Sequence, residues 1–280
     1  MRSIKIDKSY IADLKKDYQA YIVHSNEKHT AFMAKIQGTI IVAYHTGTVV
    51  FQGKDYEFFY DIISKKYLND MAYTCGSDEV GTGDVFGPIV VCACAIRDKD
   101  IYLLKKYNIQ DSKKITDKEI REIGPILYRK LSNSLLILKN SKYNDVIKNN
   151  NLNKIKAKLH NHAYLNLSKK INLDDYKCYI DQFTPAKNYF DYLSDTKNIY
   201  SNLIFATKAE SKYPAVACAS IIARYCFLVE WDKMCLKYDF MFPKGAGSKV
   251  DIALQDFHDN NKHSLAEVAK LNFKNLKKIN

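Results

Sequence analysis

The stretch CGSDEVGTGDVFGPIVV, residues 75–91, sets two adjacent carboxylates, Asp78 and Glu79, before a glycine turn and an apolar run. Neighbouring acids repel each other, and a hard divalent cation with oxygen ligands is the counter-charge that makes such a pair worthwhile. Two more acids lie in similar settings. Asp181 closes the apolar run of YKCYIDQF, and Glu210 closes NIYSNLIFATKAE just ahead of a long apolar segment. Ligands gather at strand ends in layered α/β sheets, so three strand ends carrying four carboxylates could converge on one spot. Two ions about 4 Å apart, clamped by Asp and Glu, are a common solution for phosphodiester cleavage. One ion activates a water and the other stabilises the leaving oxygen. Taken singly, Asp181 or Glu210 reads as a solvated turn residue. The Asp78–Glu79 pair, wedged between an apolar strand and GTGDVFGP, reads as functional.

The glycines have a separate logic. Gly81 and Gly83 lack Cβ atoms and permit positive φ, so the backbone amides of Gly81-Thr82-Gly83 can approach a phosphate or a sugar. Alone, such a turn is only a turn; beside a metal-binding pair it is a candidate reader of a substrate backbone.

These residues need elements to carry them. MAYTCGSD reads as a strand, DVFGPIVVCACAI as a buried second strand and SNSLLILKN as a third. A polar helical stretch, YNDVIKNNNLNKIKAKLHNHAYLNLSKKI, follows. YKCYIDQF and NIYSNLIFATKAE are two more strands, and PAVACASIIARYCFLVEWDKMCLKY is a long buried helix with small residues on one face. Strands mixed with helices predict an α/β layer domain. Residues 1–66 read as a separate small α+β unit: a helix in SYIADLKKDYQAYI, then two β-rich runs around HTG, with DIISKKYLND as a short helix or linker. The expected division is 1–66 and 67–280.

Composition narrows the class. Apolar residues make up 47%, enough for a core and against global disorder. The apolar runs fall short of the roughly 20 residues of a membrane span, and the N-terminal sequence lacks a secretory signal. The seven cysteines lie mostly in apolar runs without zinc-site spacing, which fits reduced, buried thiols in a cytoplasmic protein. The net charge is +12, an excess that suggests a polyanionic partner, although abundant Lys, Asn, Ile and Tyr also fit a proteome-wide bias. Residues 1–70 carry only +2 of it and residues 71–280 carry +10.

GSDEVGTGDVFGPIVVCA, DSKKITDKEI, NLNKIKAKLHNHA, YIDQF, AESKYPAVACASIIAR and FPKGAGSKV occur in this order. Together they resemble the ribonuclease HIII family of the bacterial type 2 ribonucleases H, over residues 71–275. The segment AYHTGTVVFQGKDYE is similar, more weakly, to the TATA-binding-protein-like domain that precedes the catalytic domain there. The resemblance implies a ribonuclease H-like mixed sheet flanked by helices. It implies endonucleolytic hydrolysis of the RNA strand of RNA/DNA hybrids, leaving 5′-phosphate and 3′-hydroxyl ends, with Mg²⁺ or Mn²⁺. The family's catalytic and metal-binding acids fall on Asp78, Glu79, Asp181 and Glu210.

Two positions separate this family from its sister, ribonuclease HII. The fourth acid is Glu210 where the sister usually has Asp, and the turn is Gly81-Thr82-Gly83 where the sister usually has Gly-Arg-Gly. A counterpart of the sister's tyrosine that senses a lone ribonucleotide is not apparent. Cleavage within longer RNA tracts is therefore expected, with weak or no action at single embedded ribonucleotides.

To select RNA the protein must read the 2′-hydroxyl, a task suited to the Gly81-Thr82-Gly83 amides. Lys113 in DSKK is a candidate phosphate contact that would otherwise read as a solvated lysine. Ser220 and Arg224, one helical turn apart, are candidates to support the substrate site, although Ser220 could equally serve close packing. FPKGAGSK suits a backbone-contacting loop or an ordinary surface turn. Tyr44, Phe51, Tyr56, Phe58 and Phe59 of the N-terminal unit could stack on sugars or bases, but alternate aromatics in strands are more often core. The resemblance gives that unit a part in gripping the hybrid. Nothing requires more than a monomer. Two other readings stay open: an enzyme of the sister type, and a hybrid-binding protein without catalysis, which the presence of all four acids argues against.

Overall fold

The computed structural model describes residues 1–24, 28–97, 100–109, 115–261 and 263–279. The chain divides into two compact units, Met1–Ala72 and Tyr73–Asn280.

The first unit is a five-stranded antiparallel sheet with helices on one face. Its elements are β1 (Arg2–Lys5), α1 (Ile11–Asp17), β2 (Ile22–Val23), β3 (Thr30–Ile36), β4 (Thr39–Tyr44), β5 (Thr48–Gly53) and α2 (Tyr56–Ala72), with the strands in the order β1-β5-β4-β3-β2. The β4–β5 turn falls at the expected HTG, with Gly47 at φ +89°. Helix α2 is longer than the expected short helix or linker, so the unit runs to residue 72 rather than 66. Ile4, Phe32, Ala34, Ile41, Val49 and Phe51 alternate onto one face and bury against Leu14, Phe59 and Ile63 of the helices. Phe51 and Phe59 are therefore core, Tyr44 and Tyr56 are half-buried, and Phe58 is exposed.

The second unit is layered. Its elements are β6 (Thr74–Val80), β7 (Ile89–Ile96), α3 (Ile101–Lys106), α4 (Asp117–Lys130), β8 (Ser132–Leu138), α5 (Asn140–Val146), α6 (Leu152–Ser168), β9 (Lys177–Asp181), α7 (Ala186–Asp191), β10 (Ile204–Ala206), α8 (Pro214–Tyr238), α9 (Ser248–Asn260) and α10 (Leu265–Val268). The sheet order is β10-β9-β6-β7-β8. β6, β9 and β10 run parallel, while β7 and β8 are antiparallel to their neighbours. This is the expected mixed sheet flanked by helices. The expected strand ends shift: β6 starts at Thr74, since Met71 and Ala72 belong to α2, and runs past Asp78 to Val80, while β7 starts at Ile89 because residues 84–88 form a loop, with Gly87 at φ +76°.

Strand β7 is buried on both faces, hence its unbroken apolar run. Val90, Cys92, Cys94 and Ile96 pack under α8 and α4, while Ile89, Val91, Ala93 and Ala95 pack under α6. Helix α8 has no polar stripe because it is the centre of its layer. It is long and apolar enough to cross a membrane, but 67% of its apolar window is buried within the unit, as in the core helix of a globular domain. All seven cysteines are free thiols.

Two devices set the loops around β6. At Gly76 a Cβ would come within 2.4 Å of the Val216 backbone N and 2.7 Å of the Ala215 carbonyl carbon, so glycine is what lets α8 lie directly on β6. At the other end, the loop 84–87 is pinned from the C-terminal segment. The buried Lys270 ammonium donates to the Asp84 carbonyl at 2.7 Å and the Gly87 carbonyl at 2.6 Å. The Lys270 N–H donates to the Val85 carbonyl, and Gly87 N–H to that of Val268. Burial pushes the Lys270 ammonium down to about 7.

Because the obstacle at Gly76 is backbone, relief requires moving α8 itself. Gly76→Ala should cost on the order of 3 kcal/mol of unfolding free energy. Urea melts should show a lower midpoint; a midpoint equal to wild type would mean that the helix can retreat freely.

Candidate active site

Strand β6 explains how two adjacent acids coexist. Side chains alternate across a strand, and the register with β7 fixes the sides. Asp78 lies opposite Cys92, which faces α8; Glu79 lies opposite Val91, which faces α6. The two carboxylates leave the strand toward opposite layers, and the Glu79 N–H donates to Asp78 Oδ1 at 2.8 Å. The expectation that all four acids point at one spot is thus modified: among the described residues, no group of three or more His, Cys, Asp or Glu is placed to hold one ion.

Asp78 accepts from the Ser220 hydroxyl of α8. Asp181 ends β9, whose register puts it on the same sheet face: Gly76 pairs with Tyr179, two residues before Asp181. Asp181 Oδ1 accepts from the Ala209 N–H at 2.7 Å. That bond anchors the single 3-10 turn Ala209–Ser211, which carries Glu210, after Lys208 at φ +53°. Asp78, Asp181 and Glu210 therefore share the α8 side.

Glu79 is held from α6. Lys156 Nζ pairs with Oε1, and His160 Nε2 lies 2.9 Å from Oε2. A carboxylate only accepts, so Nε2 carries the hydrogen; Nδ1 meets the Ser77 hydroxyl at 2.8 Å. Phe183 closes the cluster, its ring 3.9 Å from Lys156 Nζ and stacked on the imidazole at 5.5 Å. The side chains of Glu79, Lys156 and His160 are 13%, 10% and 0% exposed.

The two acids respond oppositely. Burial, reinforced by the charges of Glu79 and Glu210, raises the Asp78 carboxyl to about 8 against the Ser220 hydrogen bond. Burial also opposes ionisation of Glu79, but His160 and Lys156 outweigh it and hold that carboxyl at about 2. Burial and neighbouring negative charge both disfavour ionised Asp78, and a nearby cation would favour it. The donor set of four carboxylates without soft ligands fits a hard divalent ion such as Mg²⁺ or Mn²⁺.

The remaining candidates are dispersed. Gly81 (φ +89°) is buried, and a Cβ there would lie 2.2 Å from the Pro88 carbonyl oxygen, so its role in the turn is steric. Thr82 is half-buried, while Gly83 is exposed with open space around it. Arg224 turns from the acids to Asp117, at 3.0 Å, because Asp117 opens α4 directly alongside. Lys244, from FPKGAGSK, joins the same carboxylate at 2.6 Å. Lys113 lies outside the described residues. Sequence reading passed over Lys156, His160, Ser77 and Phe183; the available signal was the i, i+4 spacing of Lys156 and His160 on a helix.

Comparison with known proteins covers nearly the whole chain. A family model described as Ribonuclease HII matches residues 75–276, and a domain of unknown function (DUF3378) matches residues 3–69. Proteins named Ribonuclease HIII from Bacillus mycoides (strain KBAB4) and Bacillus cereus (strain ATCC 10987) are each 38% identical, covering 98% of this chain and 96% of theirs. The crystal structure of Bst-RNase HIII in complex with Mn²⁺ is similar at 31% identity and TM-score 0.71, covering 98% of this chain and 96% of that one. RNase H3 of Aquifex aeolicus, at 24% identity and TM-score 0.59, shares the fold.

The two shifts give opposite pH dependences in metal-free protein. Asp78, raised, keeps in the folded state a proton that the unfolded chain releases. Its contribution is full at acid pH and declines as pH rises from about 4 through about 8. Glu79, lowered, contributes above its ordinary value and loses that contribution as pH falls from about 4.5 to about 2. In the presence of a chelator, wild type should therefore lose thermal stability between pH 5 and 8 relative to Asp78→Asn, and the variant should melt higher at pH 8. Parallel profiles would show that Asp78 carries no such strain.

Proposed function

Because the chain belongs to the ribonuclease HII family, in its ribonuclease HIII branch, and is an endoribonuclease of the ribonuclease H type, we propose that it hydrolyses the RNA strand of RNA/DNA hybrids with Mg²⁺ or Mn²⁺, leaving 5′-phosphate and 3′-hydroxyl ends. The observation that carries this reading is the placing of Asp78, Asp181 and Glu210 on one side of the sheet, with Asp78 raised by burial and by the charges of Glu79 and Glu210.

Asp78, Glu79, Asp181 and Glu210 are the residues that would hold divalent metal. When bound, such ions supply an activated water and stabilise the leaving oxygen. The chain's own residues do the rest. Ser220 orients Asp78, and Asp181 fixes the turn that carries Glu210. The exposed Gly83 and the adjacent Thr82 offer backbone to a sugar–phosphate chain, with Gly81 setting the turn. Arg224 and Lys113 complete the proposed substrate contacts, Arg224 through the Asp117–Lys244 cluster that it joins. The N-terminal unit is read as the TATA-binding-protein-like gripping domain. The sheet face turned from its helices displays Ser3, Lys5, Lys35 and Gln52, all exposed, a polar and basic surface suited to a duplex backbone. A monomer working in the cytoplasm, without a membrane, suffices for all of this.

The sister activity, cutting at single ribonucleotides, is disfavoured by Glu210 and the Gly-Thr-Gly turn. End-labelled substrates in Mg²⁺ and in Mn²⁺ decide. A uniform hybrid should be cut at many internal sites, and a DNA duplex with one ribonucleotide should be spared. Efficient cutting of the latter moves the chain to the sister class. Asp78→Asn should lower the hybrid-cleavage rate by roughly a thousandfold or more while retaining binding; equal rates for variant and wild type would leave a binding protein only. Hybrid affinity should fall steeply with salt as counterions are released, and a salt-independent affinity would remove the case for a basic contact surface.

A further inference from the structure

The pairing around Glu79 goes beyond holding a carboxylate still. Both of its oxygens are engaged by the protein, Oε1 by an ammonium and Oε2 by an imidazole N–H. Nearly buried lysines are uncommon unless paired, and this one is locked from three directions. Its charge meets Glu79, its face meets the Phe183 ring, and its helix is fixed by His160 one turn on, itself tied to Ser77 of β6. A positive charge thus stands in direct contact with one of the four acids.

We propose that Lys156 is a resident counter-charge for Glu79 that competes with divalent metal, with His160 as the positioning residue that keeps Glu79 within reach of both. This rests on the reading of Glu79 as a metal ligand. Like charges a few ångströms apart repel strongly in a partly buried site. A divalent ion taking Glu79 as ligand must therefore share the carboxylate with the ammonium or displace it. Lys156 lowers the site's affinity for metal, and in exchange Glu79 stays ionised and fixed while no metal is bound.

The test uses the full chain and Mn²⁺ alone, titrated calorimetrically at pH 8 without nucleic acid. Lys156→Met should bind Mn²⁺ at least fivefold more tightly than wild type, and Lys156→Arg, which keeps the charge, should stay within twofold of wild type. Against a Glu79→Gln background, Lys156→Met should bring no gain, since the effect passes through Glu79. Unchanged or weaker Mn²⁺ binding by folded Lys156→Met overturns the proposal. So does a gain that survives Glu79→Gln. Should Lys156→Met not fold, the unpaired Glu79 charge is the expected cause. The Lys156→Met/Glu79→Gln double variant should then fold, and its failure to do so also overturns the proposal. The metal titration stands apart from cleavage. A chain that spares hybrids yet shows this Mn²⁺ pattern loses the functional reading and keeps the counter-charge.

Discussion

The alternation of one strand is the constraint on which the site depends. Asp78 and Glu79 are adjacent in sequence, so β6 sends one to each side of the sheet. Their direct repulsion is reduced, and each is handed to a different helix with different chemistry. The α8 side receives Asp78 with a single hydroxyl and further acids, and negative potential accumulates there. The α6 side receives Glu79 with a lysine and a histidine, which hold it ionised. A one-residue slip of β6 would exchange these partners. The long register with β7, from Thr74↔Ile96 to Val80↔Val90, makes such a slip prohibitive, because β7 is packed on both faces.

Packing then sets which acids share a side of the sheet. Helix α8 can reach β6 only because Gly76 presents no side chain and the helix answers with Ala215 and Val216. The same economy recurs at Gly124, where a Cβ would meet Tyr225 at 2.3 Å, so α4 crosses α8 closely. That closeness puts Asp117, the first residue of α4, within reach of Arg224. Electrostatics near the acids therefore rests on steric choices made with glycine, and the hydrogen bond from Ala209 to Asp181 converts them into the placing of Glu210.

Much of this was legible in the sequence, in a graded way. The acids stood out because each ends an apolar run, and the fold class followed from the mixture of strands and helices. Sidedness was harder. Four acids at strand ends invited the picture of one convergent point, when the period of β6 already separates Asp78 from Glu79. The α6 cluster was obscured because YNDVIKNNNLNKIKAKLHNHAYLNLSKKI reads as a polar helix, and the burial of Lys156 and His160 depends on Ser77 of β6 and on Phe183 just past the end of β9, both distant in sequence. Arg224 shows the same limit: its partner lies 107 positions away. Strand β3 went unmarked because TAFMAKI mixes Lys and Met into a sheet whose second face is polar. The extent of α2 was missed because its first turn, YEFF, looks like the end of the preceding strand.

Lys270 has a consequence for the order in which the molecule is made. The loop that follows the Gly81-Thr82-Gly83 turn is tied to an ammonium 186 positions later in the chain. On a ribosome the N-terminal unit and β6 emerge first and can begin to fold, but the carbonyls of Asp84 and Gly87 have no partner until Lys270 arrives. The nascent protein thus carries its acids long before it carries the fastening beside them. Closing so wide a loop also costs chain entropy, a cost the fastening has to offset. A nascent nuclease built this way stays incomplete until synthesis has passed Lys270.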